Sequence, residues 1–176
     1  VDCCGNSVTE LDVSNCHNLT GLDCGSNSLT SLNVTGCKSL DTLLCDHNSL
    51  TELDLTGCSS LRGLYVQSNN LTKINFDDCE LLAAFCCFSN NLTSLDVSKH
   101  INLTELNCSG NNLSSLDVSK NINLKNLNCS SDRLMSLDVS KNINLTELDC
   151  SYNSISSLNL NNNANLTKLR CTDCEL

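Results

Sequence analysis

The chain has no proline, no tryptophan and one methionine, and aromatic residues make up only 3% of its 176 positions. One large globular core would lean on such rings for much of its buried area, so their scarcity argues against that class. No stretch of about 18 consecutive apolar residues occurs, so nothing in the sequence is expected to span a membrane. The opening Val1-Asp2-Cys3-Cys4 lacks the basic start and apolar run of a secretory leader. No proline-, glycine- or serine-rich linker breaks the chain. Basic residues are also short: 10 against 20 acidic ones, a net charge of −10, which argues against nucleic acid as a partner.

Cysteine, by contrast, is abundant and regular. It recurs every 21 residues at Cys3, Cys24, Cys45, Cys87, Cys108, Cys129, Cys150 and Cys171, with Val66 as the one exception. Around it the apolar residues keep the same interval. In one unit Leu103, Leu106, Cys108, Asn111, Leu113, Leu116, Val118 and Asn121 are spaced so that all can face a shared interior. A fixed period of this size marks a solenoid whose turns bury their apolar residues against their neighbours. Two segments per unit alternate apolar and polar residues, as in Leu145-Thr-Glu-Leu148-Asp-Cys150 and Leu92-Thr-Ser-Leu95-Asp96-Val97. Alternation of that kind predicts strands, hence a β-rich solenoid with two parallel sheets, one per side, and little or no helix. At about 4.8 Å per turn, eight turns give a body roughly 40 Å long.

The stretch Leu103-Thr-Glu-Leu106-Asn-Cys108-Ser-Gly-Asn111-Asn-Leu113 follows the LxxLxLxxNxL spacing with cysteine in place of the third leucine. In this the chain resembles leucine-rich repeat proteins of the internalin J-like, cysteine-ladder class of bacterial surface proteins. The resemblance covers residues 1–176 and implies a protein- or glycan-binding module that is secreted or held on a bacterial cell surface. Val1 and Leu176 fall inside the repeat, one period from Leu22 and Ile155. The array therefore reads as one domain of about eight repeats, uncapped at both ends and cut from a larger protein. Uncapped turns also carry a second reading, a structural subunit that stacks end to end into fibres.

Asn6, Asn27, Asn48, Asn69, Asn90, Asn111 and Asn153 are expected to form an inward ladder that satisfies backbone groups at the turn, with Asp132 and Cys174 replacing asparagine in two units. Ladder cysteines on successive turns are too far apart to bridge and read as small buried hydrophobes. A second column, Cys16, Cys37, Cys58, Cys79, His100, Asn121, Asn142 and Asn163, reads as turn chemistry rather than a zinc site at Cys58, Cys79 and His100, because closely paired cysteines are missing there. No metal or cofactor is expected.

Function is sought where the repeat departs from itself. Residues preceding the ladder cysteine run Asp2, Asp23, Leu44, Tyr65, Cys86, Asn107, Asn128, Asp149 and Arg170, and those following it include Asp46, Gln67 and Phe88. Leu44, Tyr65, Ala84, Cys86 and Phe88 thus form an apolar patch on one face, with Tyr65 and Phe88 as anchors and Asp46, His47, Arg62 and Gln67 at its rim. The opposite face is monotonous: Asp12, Asn33, Asp54, Asn75, Asp96, Asp117, Asp138 and Asn159 form one column, which reads as a solvated polar surface. Lys99, Lys120 and Lys141 repeat beside it and relieve its negative charge. No nucleophile, base and orienting acid fall together, so no enzyme activity is expected.

Overall fold

The computed structural model describes residues 1–175, so the expectation for Leu176 lies outside the described residues. Twelve strands of three residues each follow one another: β1 (Glu10–Asp12), β2 (Gly21–Asp23), β3 (Ser31–Asn33), β4 (Thr42–Leu44), β5 (Glu52–Asp54), β6 (Gly63–Tyr65), β7 (Lys73–Asn75), β8 (Ala84–Cys86), β9 (Glu105–Asn107), β10 (Asn126–Asn128), β11 (Glu147–Asp149) and β12 (Lys168–Arg170). No helix is present among the described residues. The chain is a parallel β-solenoid of about eight turns.

One long sheet runs along it in the order β2, β4, β6, β8, β9, β10, β11, β12. Every pair in it is parallel and offset by one repeat: Leu22 faces Leu43, Leu64 faces Phe85 and Leu127 faces Leu148. A bridge from Asp2 to Asp23 adds one more rung at the start. The register follows from the period, because a 21-residue turn returns each inward leucine directly above its predecessor. A slip by one residue would turn the whole inward set outward.

The opposite side corrects the expectation of a second full sheet. Only two separate pairs form there, β1 with β3 and β5 with β7, and no strand follows Asn75 on that side among the described residues. In the later turns side-chain amides link the rungs instead. Nδ2 of Asn121 donates to Val97 O at 3.0 Å and His100 O at 2.9 Å, and Asn142 and Asn163 repeat the pattern on the next two turns. Asn123, Asn144 and Asn165 donate outside them to Ile101, Ile122 and Ile143.

Stacked columns of leucine, valine and cysteine fill the interior. Between the fourth and fifth turns two phenylalanines enter these columns: Phe76 and Phe85 meet at 5.1 Å between ring centres, and His100 stacks on Phe76 at 4.4 Å. From Asn27 onward the ladder asparagines bond backbone groups of adjoining turns, whereas Asn6 on the opening turn is exposed and bonds only within that turn. Nδ2 of Asn90 donates to Cys87 O and to Val66 O one turn earlier, while its Oδ1 accepts from Leu71 N at 2.9 Å. Each ladder asparagine follows a left-handed residue, such as Ser26, His47, Ser68 or Ser89, that aims it inward.

All fifteen cysteines are free thiols. Burial pushes the Cys24 thiol up to about 12 and those of Cys45, Cys87, Cys108 and Cys129 well above the usual range, so these five thiols stay protonated and inert. The turn column directs its polar atoms at carbonyls of the preceding turn. Sγ of Cys37 and of Cys58 donate to Val13 O and Val34 O of the preceding turn, and Nε2 of His100 lies 3.0 Å from Phe76 O. These side chains cap carbonyls, and no group of His, Cys, Asp or Glu among the described residues is arranged to hold a metal ion.

Candidate binding groove

Outward side chains of the long sheet border a shallow groove of about 290 Å³. It starts at Tyr65 on β6, crosses Ala84 and Cys86 on β8, and continues over Glu105 and Asn107 to Lys168 and Arg170 on β12. Short strands with residues alternating in and out explain its make-up: the middle residues of β6, β8, β9, β10 and β11 are buried and the flanking ones form the groove floor, while Leu169 of the terminal β12 is exposed.

Of the residues singled out from sequence, Tyr65, Ala84 and Cys86 line this groove. Leu44 lies beside it, in register with Tyr65 on the neighbouring strand. Gln67 and Phe88 lie past the strand ends, and His47 occupies the left-handed turn position with its Nδ1 2.8 Å from Asp46 Oδ2. Arg62 precedes β6 and pairs with Asp41 at 3.4 Å. The apolar members of the patch are half-buried, because rungs so close together cover one another. More exposed are Ile101, Ile122 and Ile143 at 54–55%, one column at the far turn that the period alone would have revealed.

The sequence patch also stopped short of the polar half of the groove. Glu105, Asn126, Glu147 and Lys168 lie in one outward row, and Asn107, Asn128, Asp149 and Arg170 in the next. Both rows were readable as columns, but only the apolar departures stood out. Lys168 Nζ sits 2.6 Å from Glu147 Oε1, and Arg170 lies 4.0 Å from Asp149, so the last two rungs pair their own charges. Oδ1 of Asn107 accepts from Ser109 N and Oγ, and Oδ1 of Asn128 does the same from Ser130, which leaves both amide nitrogens as donors. Burial raises the Cys86 thiol, which therefore lines the groove as a neutral group.

The opposite face spends its carboxylates on itself. Oδ1 of Asp12, Asp54, Asp96, Asp117 and Asp138 each accepts the backbone N–H two residues on, and hydrogen bonds from that residue, the hydroxyl of Thr56 foremost for Asp54 and the backbone N–H foremost for the others, hold the carboxyls below the usual carboxylate range.

The leucine-rich repeat family model matches residues 102–122. The functional domain of internalin J from Listeria monocytogenes, which includes a cysteine ladder, is 30% identical and superposes with a TM-score of 0.68 over 98% of this chain and 48% of that one. The chain is a leucine-rich repeat protein. Its cysteine ladder puts it in the internalin J-like class. A leucine-rich repeat protein of Leptospira interrogans superposes with a TM-score of 0.89 at 22% identity, over 99% of this chain and 48% of that one. A plant peptide hormone receptor in complex with RGF2 does so with a TM-score of 0.84 at 22% identity, over 97% of this chain and 32% of that one. The repeat protein thus spans about half the length of the first two structures. No curated protein matches its sequence as a relative. Repeat solenoids of this kind are binding scaffolds that offer extended surfaces to partners.

Proposed function

We propose that this leucine-rich repeat protein is a recognition module of a bacterial surface or secreted protein, and that it holds a protein partner against the long sheet. One observation carries the reading: outward residues of the long sheet change in type from rung to rung, from Tyr65 and Cys86 through Glu105 and Asn107 to Lys168 and Arg170, whereas the column opposite repeats aspartate or asparagine at every turn. A surface that varies where its scaffold does not is the part available for specificity. The likeness to internalin J supports export, and the superposed plant receptor, in a complex with RGF2, supports a peptide or protein ligand over a glycan. Tyr65 and Phe88 serve as anchors, with Leu44, Ala84 and Cys86 beside them and His47, Arg62 and Gln67 at the rim.

Selection of a displayed random-peptide library on the immobilised chain tests this. Enriched peptides are expected to lose binding to the Tyr65→Ser, Phe88→Ser double variant and to keep it with Asp117→Ser on the opposite face. The reverse pattern would overturn the assignment.

A further inference from the structure

We propose that the groove has a dedicated notch above Ala84 that takes an arginine side chain of a protein partner, with the guanidinium held between the Tyr65 ring and the Glu105 carboxylate. This inference rests on the long sheet being the binding face.

The notch follows from one row of paired residues. Across successive strands Thr42, Gly63, Ala84 and Glu105 stand side by side. A methyl group added at Gly63 would lie 3.2 Å from Cε2 of Tyr65, so the ring is laid over that glycine and seated by its lack of a side chain. One rung further Ala84 rises only by a methyl, and a rung beyond it stands the longer Glu105. With rungs about 4.8 Å apart, a group resting on Ala84 is one rung from an aromatic ring on one side and one rung from a carboxylate on the other. That is within the roughly 6 Å at which a cation is attracted to a ring. Cys86 closes the third side as a neutral wall against which the alkyl stem of the ligand can pack.

Charge selects this carboxylate among those of the groove. Glu147 and Asp149 already face Lys168 and Arg170, and the nearby Arg62 is engaged with Asp41. Among the described residues Glu105 has no ion-pair partner. A planar guanidinium stacks on a ring and meets a carboxylate with two parallel hydrogen bonds, which an ammonium cannot do, so arginine fits better than lysine. Beside it the free amide nitrogen of Asn107 can donate to the ligand backbone.

The test is a titration of the isotope-labelled chain with acetyl-arginine methylamide and with its neutral counterpart acetyl-citrulline methylamide, followed by amide chemical shifts. The arginine compound should shift Ala84, Cys86 and Glu105 saturably, while the citrulline compound should not. Glu105→Gln and Tyr65→Leu should each weaken the response about fivefold, the ratio that corresponds to about 1 kcal/mol of ion or ring attraction. Ala84→Leu, which fills the notch with an apolar group, should abolish it. A response spread along Asp96, Asp117 and Asp138, an equal response in Glu105→Gln, or no saturable response would overturn the notch. The peptide selection judges the binding face separately, so peptides that bind the long sheet without an arginine response would remove the notch alone.

Discussion

The first four turns and the later ones build the same solenoid by different means on the side opposite the long sheet. In the early turns short strands pair there, and thiols of Cys37 and Cys58 cap one carbonyl each. In the later turns strand pairing is absent, and a buried asparagine on each turn donates to two carbonyls. Glycine use follows the same division. Gly36 and Gly57 have φ of 75° and 79°, and the equivalent positions of the later turns are Lys99, Lys120 and Lys141, which are not left-handed. Any inter-turn link that satisfies the backbone serves, and the sequence can exchange thiols and strands for amides without changing the period. The amide has its own cost: Oδ1 of Asn121, Asn142 and Asn163 is buried without a partner.

The first test of this contrast is deletion of one link from each half. Asn142→Ala removes two inter-turn hydrogen bonds, to Val118 O and Asn121 O, which keep the backbone donors Asn121 N and Leu124 N, and should lower stability by about 2 kcal/mol, whereas Cys37→Ala removes one thiol bond, to Val13 O, and should cost about 1 kcal/mol. Urea unfolding of the two variants compares them directly. Equal losses would mean that thiol and amide are interchangeable in strength as well as in place.

Asp132 sharpens the comparison within the asparagine ladder. It accepts from Leu113 N at 3.0 Å but cannot donate as asparagine does, and its Oδ2 is buried without a partner. Burial raises its carboxyl to about 6, from 3.8 for the ordinary group. A folded-state value above the unfolded one means that the native fold binds the proton more tightly. Its stabilising contribution is then complete below about pH 4 and is lost as pH rises through about 6. Asp132→Asn should therefore stabilise the chain by about 3 kcal/mol at pH 7.5 and by much less at pH 4, since a tenfold change in proton affinity corresponds to about 1.4 kcal/mol. Thermal unfolding at the two pH values reads the difference. A gain independent of pH would point to regained hydrogen bonds instead of relief of charge.

Gly57→Ala should cost about 1 kcal/mol, because the left-handed position disfavours a side chain and the new methyl would approach Cα of Gly36 to 3.0 Å. Lys99→Ala removes an exposed ion pair to Asp77 and should leave the urea midpoint unchanged, since solvent screens such pairs. A clear loss there would show that the lysine column holds the later turns together.

Most of the scaffold was legible in the sequence because period-21 leucine, cysteine and asparagine leave one way to bury all three. The positions of the asparagine ladder and of the buried thiols followed from phase, whereas the capping of a carbonyl by His100 came only from the structure. What failed was local. Alternation at Leu95-Asp96-Val97 looked the same as at Leu53-Asp54-Leu55, yet only Leu53 and Asp54 lie in a paired strand. In the groove the apolar departures Tyr65, Ala84 and Cys86 stood out by type, whereas Glu105 gained its interest from charges that turned out to be spent elsewhere.

The sequence by itself determined the solenoid, its register and the identity of every inward column, because a strict repeat makes each residue's neighbour the residue one period away. Only the tertiary structure decided where strands pair on the second side, that the Tyr65 ring lies over Gly63, and which groove carboxylate stays unpaired. Those depend on side-chain directions and on distances across rungs, which periodicity leaves open.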